Sequence, residues 1–368
     1  MAAIRPSGIY DVSYEQDMAL VRTPALKVAA VAGTVIFFAL PLFSRDSPLG
    51  LEIVPLPWLG TLNRIGITLI SVQGLNILLG YTGQISLGQA AFMAVGAYTS
   101  SILTTHFGIP FWFALPMAAL TAGAVGLIFG LPSLRIKGFY LAMATLAAQF
   151  IIPWTLKNPL ARWTGGASGM EVPLPTMGNW VFNSDQSMFY VIMILLAVMM
   201  LAAKNVTRTR VGRALIAVRD NDLAAEVLGI NLFTYKLRAF FLCAVYAGVA
   251  GSLSAHYTRS ISPDGFDLLD SIWQLGMLIV GGAGYAMGPV FGTALVRLLR
   301  EFATLITPAM RDLLPGTLPF VDVASVDRAL GPVFFAVVLM LFLVFEPRGL
   351  AYRWEILKAA WRLRPFAH

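Results

Sequence analysis

The sequence predicts an all-α protein, a polytopic bundle of about ten transmembrane helices. Of its 368 residues, 58% are hydrophobic and only 12% are charged, whereas soluble domains carry about 25% charged residues. The mean hydropathy is +0.75. Uncharged apolar runs recur along the chain, and about 20 such residues cross a bilayer as a helix. This composition excludes most soluble enzymes and a disordered chain.

Eight apolar runs are clear candidate spans. In the last of them, the segment from Val333 to Phe345 has only apolar side chains. In lipid, only a helix satisfies the hydrogen-bonding groups of such a backbone. The eight runs are 27–43, 65–80, 84–105, 111–131, 138–156, 187–203, 236–256 and 330–345.

The region 268–307 admits two interpretations. Gly281, Gly282 and Gly284 interrupt its apolar pattern. The region forms either two spans that turn near Tyr285 or a re-entrant hairpin that enters and leaves on one side. The total is therefore ten spans, or eight spans plus a hairpin.

The second half of this region carries three charged residues, Arg297, Arg300 and Glu301. An ion near the bilayer centre costs about 2.5–3.5 kcal/mol, whereas a Leu or Ile contributes only roughly −0.5 kcal/mol. We therefore expect these three side chains near an interface or facing the protein interior.

The distribution of basic residues predicts the orientation. If the loop 204–235 is cytoplasmic, alternation of the spans places both termini in the cytoplasm. Most of the 26 Lys and Arg residues then lie on the cytoplasmic side, as the positive-inside rule expects. The predicted parts are a cytoplasmic N-terminal tail (1–26), a transmembrane domain (27–346) that includes the cytoplasmic loop 204–235 and the outer loop 157–186, and a cytoplasmic C-terminal tail (347–368).

The sequence lacks the motifs of an enzyme or of an autonomous pump. It has no GxxxxGK[ST] loop for ATP, and His106, His256 and His368 have no metal-ligand spacing to Cys or carboxylate residues. No basic face with interleaved aromatic residues suggests nucleic acid. Carboxylates are nearly missing from the spans, which argues against a proton-coupled carrier. We therefore expect no catalytic residue, metal or cofactor on this chain.

The loop 204–235 contains a short predicted helix. Asn221 or Asp222 can cap its start, and Gly229 suits the position after its end. Two helical turns alone are unstable in water, so either the membrane surface or a partner protein must hold this helix. The small side chains of Ala224 and Ala225 would allow a partner to approach closely.

Several stretches resemble one family. DNDLAAEVLGIN (220–231) is similar to the EAA-type coupling loop of ABC importer permeases, although the Glu–Ala–Ala order is not kept. The sequence GRALIAVRDND (212–222) looks like the branched-chain amino-acid version of that loop. Further matches are LNILLGYTGQISLGQAAFMAVGAYTSS (75–101), SIWQLGMLIVGGAGYAMGPVFGTAL (271–295) and, more weakly, FYLAMATLA (139–147). The chain therefore resembles the LivM-type permeases of the branched-chain (hydrophobic) amino-acid ABC importers.

The resemblance implies a permease subunit in the bacterial inner membrane that passes branched-chain or related amino acids. It implies a heterodimer with a second homologous permease, two ATP-binding subunits that carry ATP and Mg, a periplasmic solute-binding protein and surrounding membrane lipid. The alternative is an ion-coupled secondary transporter or channel for small polar solutes. The residues expected to couple to the ATPase are Arg219, Asp220, Asn221, Asp222, Ala224, Ala225, Glu226 and Gly229.

The stretch 80–101 is the candidate translocation pathway. A broken helix start here would expose N–H groups that could bind a substrate carboxylate, and the spacing of Ser86, Gln89 and Met93 predicts one shared helix face. Close packing through small residues is the competing interpretation. The candidate pathway residues are Thr82, Gln84, Ser86, Gln89 and Tyr98, and the candidate hinge or packing glycines are Gly80, Gly83, Gly88, Gly281, Gly282 and Gly284.

Overall fold

The computed structural model describes residues 38–43, 56–131, 139–177, 180–313 and 348–363, together with part of 333–346. The predicted tail 1–26 and nearly all of the predicted span 27–43 lie outside the described residues, and the span 330–345 is described only in part. The chain divides into two units, residues 1–60 with 353–368 and residues 61–352. The candidate site residues lie in the second unit.

Helices dominate the described residues, as the composition predicts. Short 3₁₀ turns occur at Leu40–Phe43, Gly166–Ser168 and Pro263–Gly265. The helices are α1 (Leu56–Leu75), which continues as a π-helical turn (Asn76–Gly80), α2 (Gln89–Thr105), α3 (Phe111–Gly130), α4 (Phe139–Lys157), α5 (Ala161–Thr164), α6 (Asp185–Arg208), α7 (Arg210–Asp220), α8 (Asp222–Val227), α9 (Leu232–Thr258), α10 (Leu268–Gly281), α11 (Gly288–Leu313) and α12 (Leu350–Leu363).

Four helices among the described residues are long and apolar enough to cross a membrane. They overlap the predicted spans 65–80, 111–131, 187–203 and 236–256, because those runs combine sufficient length with few charges. The predicted span 138–156 also forms a helix, α4. The four helices are Trp58–Gly80, Phe111–Gly130, Asp185–Arg208 and Leu232–Thr258.

The centre of the second unit is formed by α2, α3 and α9, which pack against one another. Glycines bring the backbones of α2 and α9 into direct contact. A β-carbon built on Gly96 would lie 2.4 Å from the Cα of Gly248, and one built on Gly251 would lie 2.0 Å from the carbonyl oxygen of Met93. Small residues at helix interfaces are how membrane helices achieve close van der Waals packing.

The two ends of this bundle carry different structures. One end, here called the α7–α8 end, carries the two short helices of the loop between α6 and α9. The opposite end carries two small antiparallel sheets. In the first sheet, β1 (Met170–Glu171) pairs with β4 (Ser260–Ile261), and in the second, β2 (Thr176–Met177) pairs with β3 (Trp180–Val181). The first sheet ties the loop 157–186 to the end of α9.

The region 268–307 folds as two helices, α10 and α11, joined by a turn that contains Tyr285. Just before α10, Asp264 forms an ion pair with Lys157 at the opposite end. Just after α10, Gly284 lies beside Arg219 at the α7–α8 end. The segment therefore runs from one end of the bundle to the other, although the 14 residues of α10 span only about 21 Å.

Candidate functional site

The short helix α8 is closed at both ends by local hydrogen bonds. The Asn221 side chain accepts a bond of 3.1 Å from the Ala224 N–H. At the other end, Gly229 has a φ of +83°, and the N–H groups of Gly229 and Ile230 donate to the carbonyl oxygens of Glu226 and Ala225 at 2.9 and 3.0 Å. This pairing is a Schellman motif. Of the two predicted cap residues, Asn221 is the one that caps the helix, and Gly229 occupies the predicted position after the end of the helix.

One face of α8 is buried against its own chain. Ala225 is only 2% exposed, because α8 packs on α7 and α9. The expectation that Ala225 allows a partner to approach is therefore wrong, since the neighbouring helices already occupy that side. Ala224 and Glu226 are exposed and remain accessible.

The other face of α8 is apolar and open. Leu223, Val227 and Leu228 are 66%, 88% and 79% exposed. These three residues are called the α8 apolar surface below. Beside it lies a groove of about 600 Å³, lined in part by Glu226, Phe233 and Lys236. Exposed apolar side chains grouped at one place mark a contact surface for protein or membrane.

Arg219 connects the loop to the end of a long helix. Its guanidinium Nη1 donates a hydrogen bond of 2.9 Å to the carbonyl oxygen of Gly80. Its Nε and Nη2 atoms hold the Asp220 carboxylate at 3.0 and 2.9 Å. Arg219 is the last basic residue of α7, and Gly80 ends the π-helical turn that extends α1.

The turn between α10 and α11 packs against the same end of α1. Asn76 donates to the Tyr285 carbonyl oxygen at 3.1 Å and accepts from the Gly284 N–H at 2.8 Å. A β-carbon on Gly80 would lie 2.5 Å from the Gly284 nitrogen, so only glycine permits this approach. The cluster of Asn76, Gly80, Arg219, Gly284 and Tyr285 is called the Arg219 junction below. It unites residues that the sequence assigned to coupling with glycines assigned to hinges or packing.

The remaining candidate glycines also make close contacts. A β-carbon on Gly88 would lie 2.8 Å from the Thr145 carbonyl oxygen, and one on Gly281 would lie 2.0 Å from the Gly288 carbonyl oxygen. Gly83 and Gly282 have φ values of +69° and +104°, which L-residues rarely adopt.

The structure contains the predicted break in the helix, and the position of this break contradicts the predicted helix face shared by Ser86, Gln89 and Met93. Residues 83–88 are not helical, and α2 begins only at Gln89. Ser86 therefore does not share a helix face with Gln89 and Met93, and the predicted span start at residue 84 is wrong. The spacing argument assumed helical geometry across a segment that is not helical.

The backbone N–H groups near this break have partners within the chain. Leu87 donates to the Thr145 hydroxyl at 2.9 Å, and Ala91 donates to the Gln149 side-chain oxygen at 3.0 Å. Ala90 donates to the Ser271 hydroxyl at 2.9 Å. The expectation that these groups are exposed for a substrate carboxylate is therefore wrong for these three residues.

The five candidate pathway residues, at this break and in α2, are all buried. Gln89 donates to the Ser71 hydroxyl at 3.0 Å, and Ser71 donates to the Gln274 side-chain oxygen at 2.6 Å. The amide of Gln84 and the hydroxyl of Tyr98 are buried without a hydrogen-bond partner. Of the remaining two candidates, Thr82 donates to the carbonyl oxygen of Leu78 in its own helical turn, and Ser86 is fully buried.

The sequence prediction missed Ser71, Thr145, Gln149, Ser271 and Gln274. The signal that could have found them is a polar side chain inside an otherwise apolar span, because such a group must find a partner in lipid. Among the described residues, no group of three or more His, Cys, Asp and Glu side chains could hold a metal ion.

The long apolar helices indicate a helical integral membrane protein. The family model described as "Branched-chain amino acid transport system / permease component" matches residues 58–345. The chain therefore belongs to this family.

Individual relatives agree with the family match. The chain is 31% identical over 268 residues to the high-affinity branched-chain amino acid transport system permease protein LivM of Escherichia coli (strain K12), covering 66% of this chain and 63% of the relative. It is 32% identical over 251 residues to LivM of Salmonella typhimurium (strain LT2), covering 62% and 59%. It is 24% identical over 229 residues to the inner membrane ABC transporter permease protein YjfF of Escherichia coli (strain K12), covering 60% and 68%.

The matched part of the chain thus spans about three fifths of the length of the two LivM relatives. No solved structure matches the chain.

Proposed function

We propose that this chain is the permease subunit of an ABC importer in the bacterial inner membrane. It passes branched-chain or related amino acids and is driven by ATPase chains that bind ATP and Mg. Its partners are a second homologous permease, two ATP-binding subunits and a periplasmic solute-binding protein. The family match and the names of the relatives support this function.

The orientation follows from the same proposal. The α7–α8 end faces the cytoplasm, where the ATPase subunits would bind, and both termini are cytoplasmic. The helices α10 and α11 then count as two of about ten spans rather than a re-entrant hairpin. This count is supported by the position of the Gly284 turn beside Arg219 and of Asp264 beside Lys157.

The observation that carries the coupling mechanism is the Arg219 junction. The α8 apolar surface, with Ala224 and Glu226, would contact the ATPase subunit. Because α8 packs on α7, a movement of α8 would displace the Arg219 guanidinium that holds the Gly80 carbonyl oxygen. That displacement reaches the end of α1 and the α10–α11 turn directly. The coupling residues Asp220, Asn221, Asp222, Ala225 and Gly229 maintain the geometry of this connection.

The test is to purify this chain by an affinity tag from its host and identify the chains that accompany it. The complex is then reconstituted in vesicles and assayed for L-leucine accumulation. We expect two ATPase chains and a second permease in the preparation, and uptake that requires ATP and a solute-binding protein. Full-rate leucine accumulation by this chain alone, or uptake driven by an ion gradient without ATP, would overturn the proposal.

A further inference from the structure

A second polar site lies toward the opposite end of the bundle, away from the Arg219 junction. It is a cavity of about 190 Å³ between α1, α2, α9, α10 and α11. Asp270, in the first turn of α10, lines this cavity together with Arg297 and Arg300 of α11. This cavity shares no residue with the α8 apolar surface or with the break at 83–88.

The charges on the cavity wall are costly in a membrane protein. An ionisable side chain within a membrane segment is rare and normally serves a substrate or ion pathway. Arg297 donates one hydrogen bond of 2.7 Å to the Thr68 hydroxyl, while its Nε is buried without a partner. Asp270 forms no ion pair and no side-chain hydrogen bond with any residue in the described part of the chain.

The opposite charges of Asp270 and Arg297 thus face one cavity without neutralising each other through a direct bond. Arg64 and Arg300 also line the cavity, so that its wall is positive overall. Arg300 is held over the ring of Trp273, with its guanidinium carbon 5.6 Å from the ring centroid. An occupant with a negative group is therefore favoured, and a positive group on the same occupant has Asp270 available.

The rest of the lining is apolar. Ile67, Met93 and Met277 line the cavity together with Trp273, and all four side chains are buried. This wall excludes an occupant that is charged all over, such as free phosphate. The volume lies below the roughly 300–1,000 Å³ of pockets for drug-sized ligands, so the occupant is a small metabolite.

We propose that this cavity is a recognition site for a zwitterionic amino acid with an aliphatic side chain. Arg297 binds the α-carboxylate, Asp270 binds the α-ammonium group, and Ile67, Met93 and Met277 contact the side chain. The inference rests on the proposed importer function and adds that the permease itself binds both charged groups of its substrate. The solute-binding protein is then not the sole source of selectivity.

The test measures binding of radiolabelled L-leucine to the purified permease–ATPase complex in nanodiscs, without the solute-binding protein. Competitors are 4-methylpentanoate, which lacks the ammonium group, and 3-methylbutylamine, which lacks the carboxylate. We expect the unaltered complex to bind leucine and to bind each competitor at least tenfold more weakly, because each leaves one buried charge without its partner. No leucine binding, or equal displacement by all three compounds, would overturn the inference.

Substitutions test whether Asp270 binds the ammonium group and Arg297 binds the carboxylate. Asp270→Asn should weaken leucine binding about tenfold or more and abolish the preference for leucine over 4-methylpentanoate. Arg297→Gln should abolish the preference over 3-methylbutylamine, and Arg297→Lys should restore part of it. Arg162→Gln, an exposed arginine of the loop 157–186, is the matched control and should bind as the unaltered complex does.

The outcomes separate this inference from the function on which it rests. If the unaltered complex shows no ATP-dependent leucine uptake, the proposed function fails. If uptake is normal but Asp270→Asn and Arg297→Gln keep the original leucine affinity and competitor ranking, the recognition site alone is refuted. The competition experiment on the unaltered complex decides the question even where a variant does not fold.

Discussion

The guanidinium of Arg219 donates a hydrogen bond of 2.9 Å to the carbonyl oxygen of Gly80, a residue 139 positions earlier in the chain. This bond joins the loop that carries α8 to the helix that precedes the break at 83–88. Because Gly80 also contacts Gly284, one side chain links the loop to two long helical segments.

Removing the Arg219 side chain should uncouple ATP hydrolysis from leucine uptake in the assembled transporter. In Arg219→Ala, we expect ATP hydrolysis to continue while leucine uptake falls about tenfold, because a charge-assisted hydrogen bond contributes about 1.5–3 kcal/mol. Parallel measurements of phosphate release and uptake in vesicles test this. Arg213→Ala changes an exposed arginine on the same helix and should affect neither rate. Equal losses of hydrolysis and uptake in Arg219→Ala would contradict the coupling role.

A charge on the α8 apolar surface should release the ATPase subunits. Val227 is 88% exposed, so Val227→Asp does not disturb the packing of the chain itself. A carboxylate would have to be desolvated in an apolar contact, which is costly. We expect the tagged Val227→Asp chain to insert normally but to copurify with little ATPase. Phe107→Asp, an exposed apolar residue at the opposite end, should retain the ATPase. Retention by both variants would refute this contact surface.

Breaking α8 itself should separate hydrolysis from transport. Glu226 is exposed and lies inside the helix, where proline costs about 3 kcal/mol or more. We expect Glu226→Pro to insert in the membrane at normal levels and to lose leucine uptake. Glu226→Ala keeps the helix and should retain uptake. Transport by Glu226→Pro at the unaltered rate would show that helical structure at this position is dispensable.

The backbone contact between α2 and α9 should be intolerant of any side chain. In Gly251→Ala, the added β-carbon would lie 2.0 Å from the Met93 carbonyl oxygen, and backbone atoms cannot rotate away. Overpacking typically costs 1–3 kcal/mol, so we expect a clearly lower melting temperature in detergent. Gly265→Ala adds a β-carbon whose nearest neighbour is 3.8 Å away and should melt normally. Equal melting temperatures for the two variants would mean that the helices can separate at little cost.

The local features of α8 were predictable because they depend on neighbouring residues. Asn221 and Gly229 cap the helix through bonds that reach three to five residues along the chain. The position of Ser86 was not predictable from spacing, because a repeat has meaning only inside a continuous helix. The structure ends that helix before residue 83 and begins the next at Gln89.

The long-range contacts of the site depend on how distant helices assemble. The sequence indicates that Arg297 and Arg300 must avoid lipid, but it does not place Asp270 on the same cavity. Gln149 illustrates the same limit. Its side chain joins Ala91, Ser271 and Phe266, which lie on separate segments of the chain, and no local pattern identifies those partners.

The glycines at positions 96, 248 and 251 bring α2 and α9 together with no side chain between their backbones. Because the two backbones are already in contact, one helix cannot slide or tilt against the other without a steric clash between their backbone atoms. A conformational change in this bundle would therefore have to move α2 and α9 together, and the non-helical segment at residues 83–88, which precedes α2, is one place where the chain could bend.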